Sequence, residues 1–403
     1  MTINILVNAL PLTGLLTGIA RYVRNLYFCL EKEQAARIGY FIGRETAPVM
    51  PVQNSTATRL LKREQLGRLP SPLLCSLRVA NWFWHEHCLR RDILTDGGYN
   101  IYHETGFFPP DLRGRLPVVH TVYDLSLRRY AHTHPRVRVC YYEFFIKRRL
   151  SHATHVLAIS EYVRQEILDE FRLDPQMVTT VPLAPDPHFS PQAKEQVDIT
   201  LARLGVPRDY ILFAGTLEPR KNLKLLIEAL PLMRQEVALV LAGASGWGDK
   251  SWRKALPALG LDRRVFISGH VSDEDLACLY TGASAFVYPS LYEGFGLPIL
   301  ESMACGCPVV CANTSCLPET AGGAAVLVSP HDPEELAAAL DHIVEDDVYR
   351  QGLIKRSLER AAGFSWEQTA RQTMAVFKSV SASEAICESQ LKDAAVMEPP
   401  SCP

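Results

Sequence analysis

Two glutamates, Glu293 and Glu301, stand eight positions apart around a glycine-rich turn in the segment EGFGLPILE. The apolar run AFVYPS before the turn predicts a strand, and Pro298 suits the first turn of a helix that follows it. The free N–H groups and the dipole of a helix N-terminus favour a phosphate. The pattern therefore predicts an anion site between a strand and a helix.

The residues of this turn suit a phosphorylated ligand that also carries hydroxyl groups. Glu301 lies about one turn inside the predicted helix, where its carboxylate can accept hydrogen bonds from ribose hydroxyls, and Glu293 sits in the turn beside a sugar. Glycine lets the backbone approach a ligand closely. The candidate donor contacts of the turn are Gly294, Phe295, Gly296 and Leu297. The alternative, a strand-to-helix turn with one capping glutamate, leaves both glycines unexplained.

A second strand-turn-helix unit, YILFAGTLEPRKNLKLLIEAL, places two cations where a helix begins. Gly215 and Thr216 end its strand, and Arg220 and Lys221 open its helix. Cations at that end oppose the helix dipole, so an anion nearby is expected. When a nucleoside diphosphate leaves, negative charge grows on its phosphate oxygens, and fixed Arg and Lys donors stabilise that charge. The alternative is a solvated pair of surface cations.

The segment SGHVSDEDL contains Asp273 and Asp275, a D-x-D pair of the kind that grips a divalent ion in metal-dependent enzymes. Ser272 followed by Asp275 also resembles a helix cap with acids in the first turn, and this cap accounts for both aspartates. The eleven cysteines lack C-x-x-C pairs and are expected to be reduced thiols. We therefore expect no metal and no cofactor. Val271, after the preceding strand, is a candidate contact for a nucleotide base.

The front half supplies further candidates at the ends of its predicted strands. Gly14 and Gly18 precede a helix but lack the G-x-G-x-x-G spacing of a dinucleotide site. Their loop either packs against a donor phosphate across a cleft or is a plain turn. Asp124 in VVHTVYDLS is a catalytic candidate, and His103 in IYHETG is an acceptor-side candidate. Each is equally compatible with an ordinary structural group.

Apolar runs alternate with helical patterns along the chain, which predicts an α/β protein with two doubly wound parallel sheets. The proline-rich, polar stretch APDPHFSPQAKEQVD separates two sets of strands. We assign 1–190 to a front domain and 191–365 to a back domain, with ligands in the cleft at the carboxyl ends of the strands. Residues 381–403 have no sustained period and end in prolines, so a disordered tail is expected there.

Composition narrows the class of protein. Of the 403 residues 47% are apolar, the formal net charge is −2, and no apolar run is long enough to span a membrane. The first residues lack the features of a signal peptide, so a cytoplasmic protein is expected. Nucleic acid is not an expected partner, since that role needs a stronger basic excess. The basic and aromatic segment 128–149 is either a helix with its aromatics in the core or a peripheral contact with the inner membrane face.

These segments resemble glycosyltransferase family 4, whose glutamate-x7-glutamate motif is matched by EGFGLPILE. GTLEPRKN, GHVSDEDL and ESMACGCPVV resemble the same family in order and spacing, and the resemblance covers roughly residues 1–380. It implies a GT-B fold, with two Rossmann-like domains facing a central cleft, and a retaining sugar transfer. By resemblance Glu301 binds the donor ribose, Glu293 contacts the transferred sugar, and Arg220 and Lys221 hold the diphosphate. Residues 366–380 would form a helix that crosses back onto the front domain.

One position departs from the family pattern. Many members have a histidine directly before the aspartate of the front-domain strand, whereas here Tyr123 precedes Asp124. His120 lies three positions back, which along a strand points to the opposite face. The acceptor side, with His103, His120 and Tyr123 as candidates, therefore either does without that histidine or is arranged differently.

Within the family the chain is similar to bacterial mannosyltransferases of surface polysaccharide assembly. This similarity implies GDP-mannose or a related GDP-sugar as donor and a saccharide or lipid-linked acceptor of lipopolysaccharide synthesis. A UDP-sugar donor is one alternative, and a scaffold that binds a nucleotide without turnover is another. A nicotinamide oxidoreductase is excluded by the missing G-x-G-x-x-G fingerprint.

Overall fold

The computed structural model contains two β-sheets, one in each half of the chain. The structure describes residues 3–14, 18–34, 36–51, 71–95, 98–112, 114–244, 246 and 251–396. The front sheet comprises β1 (Ile3–Asn8), β2 (Ala36–Phe41), β3 (Thr46–Ala47), β4 (Ile101–Glu104), β5 (Val118–Val122), β6 (His155–Ala158) and β7 (Val178–Thr180). The back sheet comprises β8 (Tyr210–Ala214), β9 (Ala238–Ala242), β10 (Val265–Gly269), β11 (Ala285–Tyr288), β12 (Val309–Ala312) and β13 (Val326–Val328).

The two sheets share one topology, which confirms the predicted pair of doubly wound α/β domains. The front order is β3-β2-β1-β4-β5-β6-β7, parallel except for the β2–β3 pair, and the back order is β10-β9-β8-β11-β12-β13, parallel throughout. The strand order reverses between β1 and β4 in front and between β8 and β11 behind. Ligands of such sheets bind outside the carboxyl ends of the strands at this switch point.

The strands beside the back switch point consist almost entirely of apolar residues. Every residue of β8 (YILFA), β9 (ALVLA) and β11 (AFVY) is buried, as expected for parallel strands covered on both faces. These buried strands form a rigid base from which the connecting turns project. The turns after β8 and β11 contain the candidate side chains of the back domain.

The helices complete the two domains. The front half contains α1 (Gly18–Lys32), α2 (Ser71–Thr95), α3 (Ser126–Arg129), α4 (Arg136–Leu150) and α5 (Glu161–Phe171). The back half contains α6 (Lys194–Leu204), α7 (Leu223–Ala229), α8 (Ser251–Ala258), α9 (Asp273–Gly282), α10 (Leu297–Ala304), α11 (Leu317–Ala321), α12 (Pro333–Glu345) and α13 (Asp347–Ala362). The last described helix is α14 (Trp366–Val396).

Helix α14 connects the end of the back domain to the front domain. It packs against α1, its Trp366 and Phe377 are buried, and the Thr369 hydroxyl donates to the carbonyl of Pro182 at 2.8 Å. The disordered tail predicted from 381 is corrected, because α14 continues to Val396. That stretch contains four alanines and two glutamates, which favour a helix. Residues 397–403 of the predicted tail lie outside the described residues.

The two domains meet backbone to backbone at the glycine-rich turn before α10. A Cβ atom on Gly294 would lie 1.8 Å from the carbonyl oxygen of Tyr123. The Ser160 hydroxyl donates to the carbonyl of Gly294 at 2.6 Å, and the Leu125 amide donates to the Tyr292 hydroxyl at 3.0 Å. The close approach at Gly294 therefore belongs to a domain contact, whereas the sequence predicts a ligand contact there.

Replacing Gly294 by alanine is expected to destabilise the protein by about 1–3 kcal/mol, because the new methyl group overpacks a backbone contact. Thermal melting should show a lower Tm for Gly294→Ala. Gly352→Ala is the matched control, since a Cβ there meets only Arg356 Nη1 at 3.6 Å, and alanine favours a helix. An unchanged Tm for Gly294→Ala would mean that the domains do not approach in this way in solution.

Candidate active site

The back switch point brings the two predicted cations onto the predicted glutamate. The Lys221 ammonium donates to Glu293 Oε1 at 2.6 Å and to the Tyr288 hydroxyl at 2.5 Å. Arg220 Nη1 donates to Glu293 Oε2 at 3.2 Å. Lys221 comes from the turn after β8, and Glu293 from the turn after β11. Two units distant in sequence thus form one cluster, because β8 and β11 are neighbours in the sheet.

Arg220 is held by acceptors on several sides. Nη1 donates to the carbonyl of Tyr292 at 2.6 Å, and Nη2 donates to Glu218 Oε1 at 2.9 Å. Burial lowers the pKa of Arg220, but the carboxylates of Glu293, Asp124 and Glu218 outweigh that effect and raise it. Its Nε is buried with no hydrogen-bond partner among the described residues. The guanidinium is therefore a cation fixed by its carboxylate and carbonyl partners.

The local structure around these cations differs from the prediction. Arg220 and Lys221 lie in a 3-10 turn, Pro219–Lys221, which ends at Asn222 with a φ of 55°. Helix α7 begins only at Leu223, so the two cations precede the helix rather than open it. Ion pairs with Glu218 and Glu293, rather than the dipole of α7, therefore hold the two cations in place.

Glu293 is a buried carboxylate that remains ionised. Burial raises its pKa, but Arg220 and Lys221 together lower it to about 2. Its own amide donates to the Ser315 hydroxyl at 3.0 Å, which fixes the turn. A carboxylate held in this way can accept hydrogen bonds from sugar hydroxyls, and its cations are the groups that a diphosphate would attract.

Glu301 lies one turn inside α10, as predicted, and it faces a cation of the front domain. Arg21 Nη1 donates to Glu301 Oε1 at 3.0 Å, and the same guanidinium pairs with Asp273. Burial raises the pKa of Glu301 to about 7, although Arg21 acts in the opposite direction. The sequence did not predict Arg21 as a site residue. Its position in the first turn of α1, after the Gly18 loop, is the signal that was available.

The predicted contacts Gly215, Thr216 and Val271 lie along one edge of the back sheet. Gly215 follows β8 with a φ of 146°, and the unpredicted Gly243 follows β9 with a φ of 143°. A Cβ on Gly243 would lie 1.9 Å from the Gly215 carbonyl oxygen, so the strand ends themselves require glycine. Thr216 is exposed and Val271 is half-buried. Their contact with a nucleotide stays a prediction.

The turn before α10 combines a helix start with a core residue. Gly296 is the N-cap of α10 with a φ of 81°, and no side chain caps the helix. Leu297 is its first residue and is half-buried. Phe295 is 5% exposed, and its ring centroid lies 6.1 Å from that of Phe364. The side chain of Phe295 is therefore part of the core, and the contact of this residue with a donor stays a prediction.

The two predicted histidines are structural groups. His103 is fully buried, with Nδ1 2.7 Å from the Tyr27 hydroxyl and Nε2 2.8 Å from the Thr121 hydroxyl, and burial lowers its pKa to about 3. His120 is also buried, with Nδ1 3.3 Å from the carbonyl of Glu104, and burial lowers its pKa to about 4. Neither ring is accessible to an acceptor, so their acceptor-side assignment is corrected.

Three front-domain candidates remain near the cleft. Asp124 is half-buried and accepts a hydrogen bond from the Ser126 amide at 2.9 Å. Its carboxylate lies close enough to Arg220 to raise the pKa of the Arg220 guanidinium. The Tyr123 hydroxyl is buried without a partner in the described part of the chain. Gly18 is exposed, and a Cβ there would meet no atom within 4 Å. Their roles stay predictions.

The D-x-D pair begins a helix, as predicted. The Ser272 hydroxyl accepts a hydrogen bond from the Asp275 amide at 3.1 Å. Asp273 pairs with Arg21, and Asp275 pairs with Arg203. Across the described ranges, no group of three or more His, Cys, Asp and Glu residues is arranged to hold a metal ion.

Family comparisons agree with this arrangement. The model described as "Glycosyltransferase Family 4" matches residues 16–189, and "Glycosyl transferases group 1" matches residues 202–360. The O-antigen chain mannosyltransferase B of Escherichia coli is 33% identical, over 91% of this chain and 97% of its own. The chain belongs to glycosyltransferase family 4.

Solved structures show that this glycosyltransferase has the GT-B fold. Sucrose-phosphate synthase from Thermosynechococcus elongatus has a TM-score of 0.73 at 22% identity, with 95% of this chain and 100% of that chain covered. Anabaena HepE in complex with UDP has a TM-score of 0.66 at 20% identity, with 94% and 100% covered.

Proposed function

We propose that this glycosyltransferase moves a hexose with retention of configuration from a nucleotide donor, GDP-mannose first, onto a saccharide or lipid-linked acceptor of lipopolysaccharide synthesis. The observation that carries the proposal is the convergence of Arg220 and Lys221 on Glu293 at the back switch point. The mannosyl assignment is supported by the Escherichia coli relative, whose name states that activity.

In the proposed reaction the bond between the anomeric carbon and the donor diphosphate breaks as the acceptor hydroxyl attacks from the same face. Arg220, Lys221 and the uncapped start of α10 stabilise the charge that grows on the leaving diphosphate. A phosphate oxygen of the donor takes the acceptor proton, so no protein base is assigned. Glu293 orients the sugar hydroxyls, and Glu301 accepts hydrogen bonds from the ribose.

A nucleotide panel tests the donor and the metal requirement together. GDP, UDP and NADH are each added with magnesium or with EDTA, and the Tm is recorded. A nucleotide at one hundred times its Kd should stabilise the folded state by about 2.7 kcal/mol. We expect a GDP response that EDTA leaves unchanged. A response that EDTA abolishes contradicts the metal-independent mechanism, and the absence of any nucleotide response contradicts the proposed function.

A UDP-sugar is the second candidate donor. It is favoured by the structural similarity to HepE, which was solved in complex with UDP. Mass detection of hydrolysed or transferred sugar from GDP-mannose and from UDP-glucose separates the two candidates. A larger UDP than GDP response in both experiments would replace the GDP assignment while keeping the reaction class.

We also propose that a basic aromatic face of the front domain contacts the inner membrane face. We use this name for Phe83, Trp84, Phe107, Arg138, Phe144 and Arg148. Tyr142 and Phe145 of α4 are buried, as the core interpretation predicted, but Phe144 is 60% exposed and Trp84 on α2 is 54% exposed. The Arg148 guanidinium lies 5.1 Å from the Phe144 ring centroid. Exposed aromatics beside arginines suit an anionic lipid surface.

Vesicle flotation tests the basic aromatic face. The protein should float with vesicles that contain phosphatidylglycerol, and less with phosphatidylcholine alone or at high salt. Trp84→Ser with Phe144→Ser should remove most of this binding. Val348→Ser is the control, since Val348 is an 84% exposed apolar residue of the back domain. Equal flotation of both variants would contradict the assignment. Within the described ranges, none of the helices has the length and apolar character of a membrane span.

A further inference from the structure

A pocket of about 450 Å³ opens where the front domain meets the turn before Glu293. One wall is a single face of α5, formed by Tyr162, Gln165, Glu166 and Asp169, which are spaced as neighbours on a helix. Arg129 and Tyr130 of the front domain and Tyr292 of the back domain complete the lining. This volume is typical of a small-molecule site.

Three tyrosines contribute to the lining of the pocket. The ring centroid of Tyr292 lies 5.0 Å from that of Tyr130 and 6.2 Å from that of Tyr162. Tyrosine rings offer a flat apolar face together with a polar hydroxyl. Such a surface fits a ligand that has both C–H faces and hydroxyl groups, which describes a pyranose ring.

The polar groups of the pocket select against an anion. The carboxylate of Glu166 accepts from the Tyr292 hydroxyl and lies 3.4 Å from Arg129 Nε, while Gln165 Nε2 donates to Asp169 Oδ1 at 2.9 Å. The lining contains two carboxylates against the single cation of Arg129, which also pairs with Glu170 outside the pocket. Carboxylate and amide oxygens accept hydrogen bonds from hydroxyls but repel phosphate. A neutral polyhydroxylated ligand is therefore favoured over a nucleotide.

Tyr292 connects the pocket to the turn that contains Glu293. The carbonyl of Tyr292 accepts from Arg220 Nη1 at 2.6 Å, and Glu293 is the next residue. The Tyr130 hydroxyl donates to the carbonyl of Leu291 at 3.1 Å. The pocket therefore lies beside the turn that holds Glu293.

We propose that this pocket binds a sugar unit of the acceptor that does not itself react. Tyr130 and Tyr162 pack against the ring, and Gln165, Glu166 and Asp169 accept hydrogen bonds from its hydroxyls. The proposal rests on the proposed function, because only a saccharide acceptor would extend from the reacting hydroxyl into this pocket.

The test measures saccharide binding and donor hydrolysis separately. Linear mannotriose and triacetylchitotriose are titrated into the full-length protein by ligand-observed NMR without donor. Tyr162→Ala and Gln165→Ala should each weaken binding of the saccharide that binds at least tenfold, and raise its KM in transfer by a similar factor. Hydrolysis of GDP-mannose without acceptor should stay within twofold of the wild-type rate in both variants.

Two control variants test whether the loss of binding is specific to the pocket, and the possible results distinguish the inference from the proposed function. Arg164→Gln changes α5 outside the pocket lining, and Phe28→Ala removes an exposed ring of α1 elsewhere in the front domain, so both should bind as the wild type does. Unchanged binding in the two pocket variants overturns the inference, as does binding of neither saccharide to the wild type. Saccharide binding that the pocket variants lose, without turnover of any nucleotide sugar, supports the pocket and contradicts the proposed function.

Discussion

Replacement of Lys221 by methionine is expected to lower kcat by about two to three orders of magnitude, as for the loss of one preorganised transition-state donor. The ammonium is buried, and it is held by Glu293 at 2.6 Å and Tyr288 at 2.5 Å. A donor fixed in this way needs no reorganisation when charge grows on a leaving diphosphate. Methionine keeps the length and the apolar packing of lysine but removes the charge.

Steady-state transfer from GDP-mannose, with Tm and GDP affinity measured in parallel, checks this prediction. Lys224→Met is the matched control, because Lys224 lies three residues further along and its side chain is 75% exposed beside Glu228. That variant should keep the wild-type kcat. If Lys221→Met folds, binds GDP and turns over at the full rate, Lys221 does not act on the leaving group.

The back-domain cluster was predictable because its parts are local. Each is a strand, a turn and a helix start within about twenty residues, and parallel strands bring their carboxyl ends to one edge of a sheet. Arg220, Lys221, Glu293 and Glu301 were predicted in this way, and the first three are in contact with one another in the structure. What the sequence did not show is that both cations pair with the same carboxylate, Glu293.

The residues that sequence reasoning missed or misassigned depend on contacts between distant segments. In the sequence, Arg21 is one of several arginines of the front half. Its ion pair with Glu301 becomes visible only when α1 and α10 are placed across the cleft from each other. Gly294 has the spacing of a ligand contact, yet the Tyr123 carbonyl occupies the space of its missing Cβ. His103 lies near the end of β4, where a ligand contact is expected, but Tyr27 and Thr121 form hydrogen bonds to its two ring nitrogens. No local pattern distinguishes these outcomes, because each is decided by a partner more than ten residues away.

Replacing Glu301 by glutamine is expected to weaken GDP-mannose binding by about tenfold or more at pH 8, since hydrogen bonds to a charged acceptor contribute about 1.5–3 kcal/mol each. The wild-type affinity should itself depend on pH. Burial raises the pKa of Glu301 to about 7, so the carboxylate is mostly ionised at pH 8 and about one tenth ionised at pH 6. The wild-type affinity should therefore fall about tenfold between those two values, whereas the Glu301→Gln affinity should stay level.

GDP-mannose is the right probe because its diphosphate is esterified at both ends and does not titrate in this range. Glu334→Gln, a change at an exposed acid in the first turn of α12, should behave as the wild type does. Level wild-type binding from pH 6 to 8 would show that the ribose does not bind to an ionised Glu301.

The raised pKa of Glu301 also determines how the stability of the ligand-free protein depends on pH. A carboxyl whose pKa rises from 4.5 in the unfolded chain to about 7 in the folded protein holds its proton more tightly when folded. The contribution of Glu301 to the free energy of unfolding is therefore most favourable below about pH 4.5 and is lost as the pH rises through 7. Glutamine cannot ionise, so ligand-free Glu301→Gln should have a higher Tm than the wild type at pH 8, and the gap should close at pH 5. A variant that is more stable alone but binds the donor less well is the result expected if Glu301 is kept for the ribose at a cost to the fold.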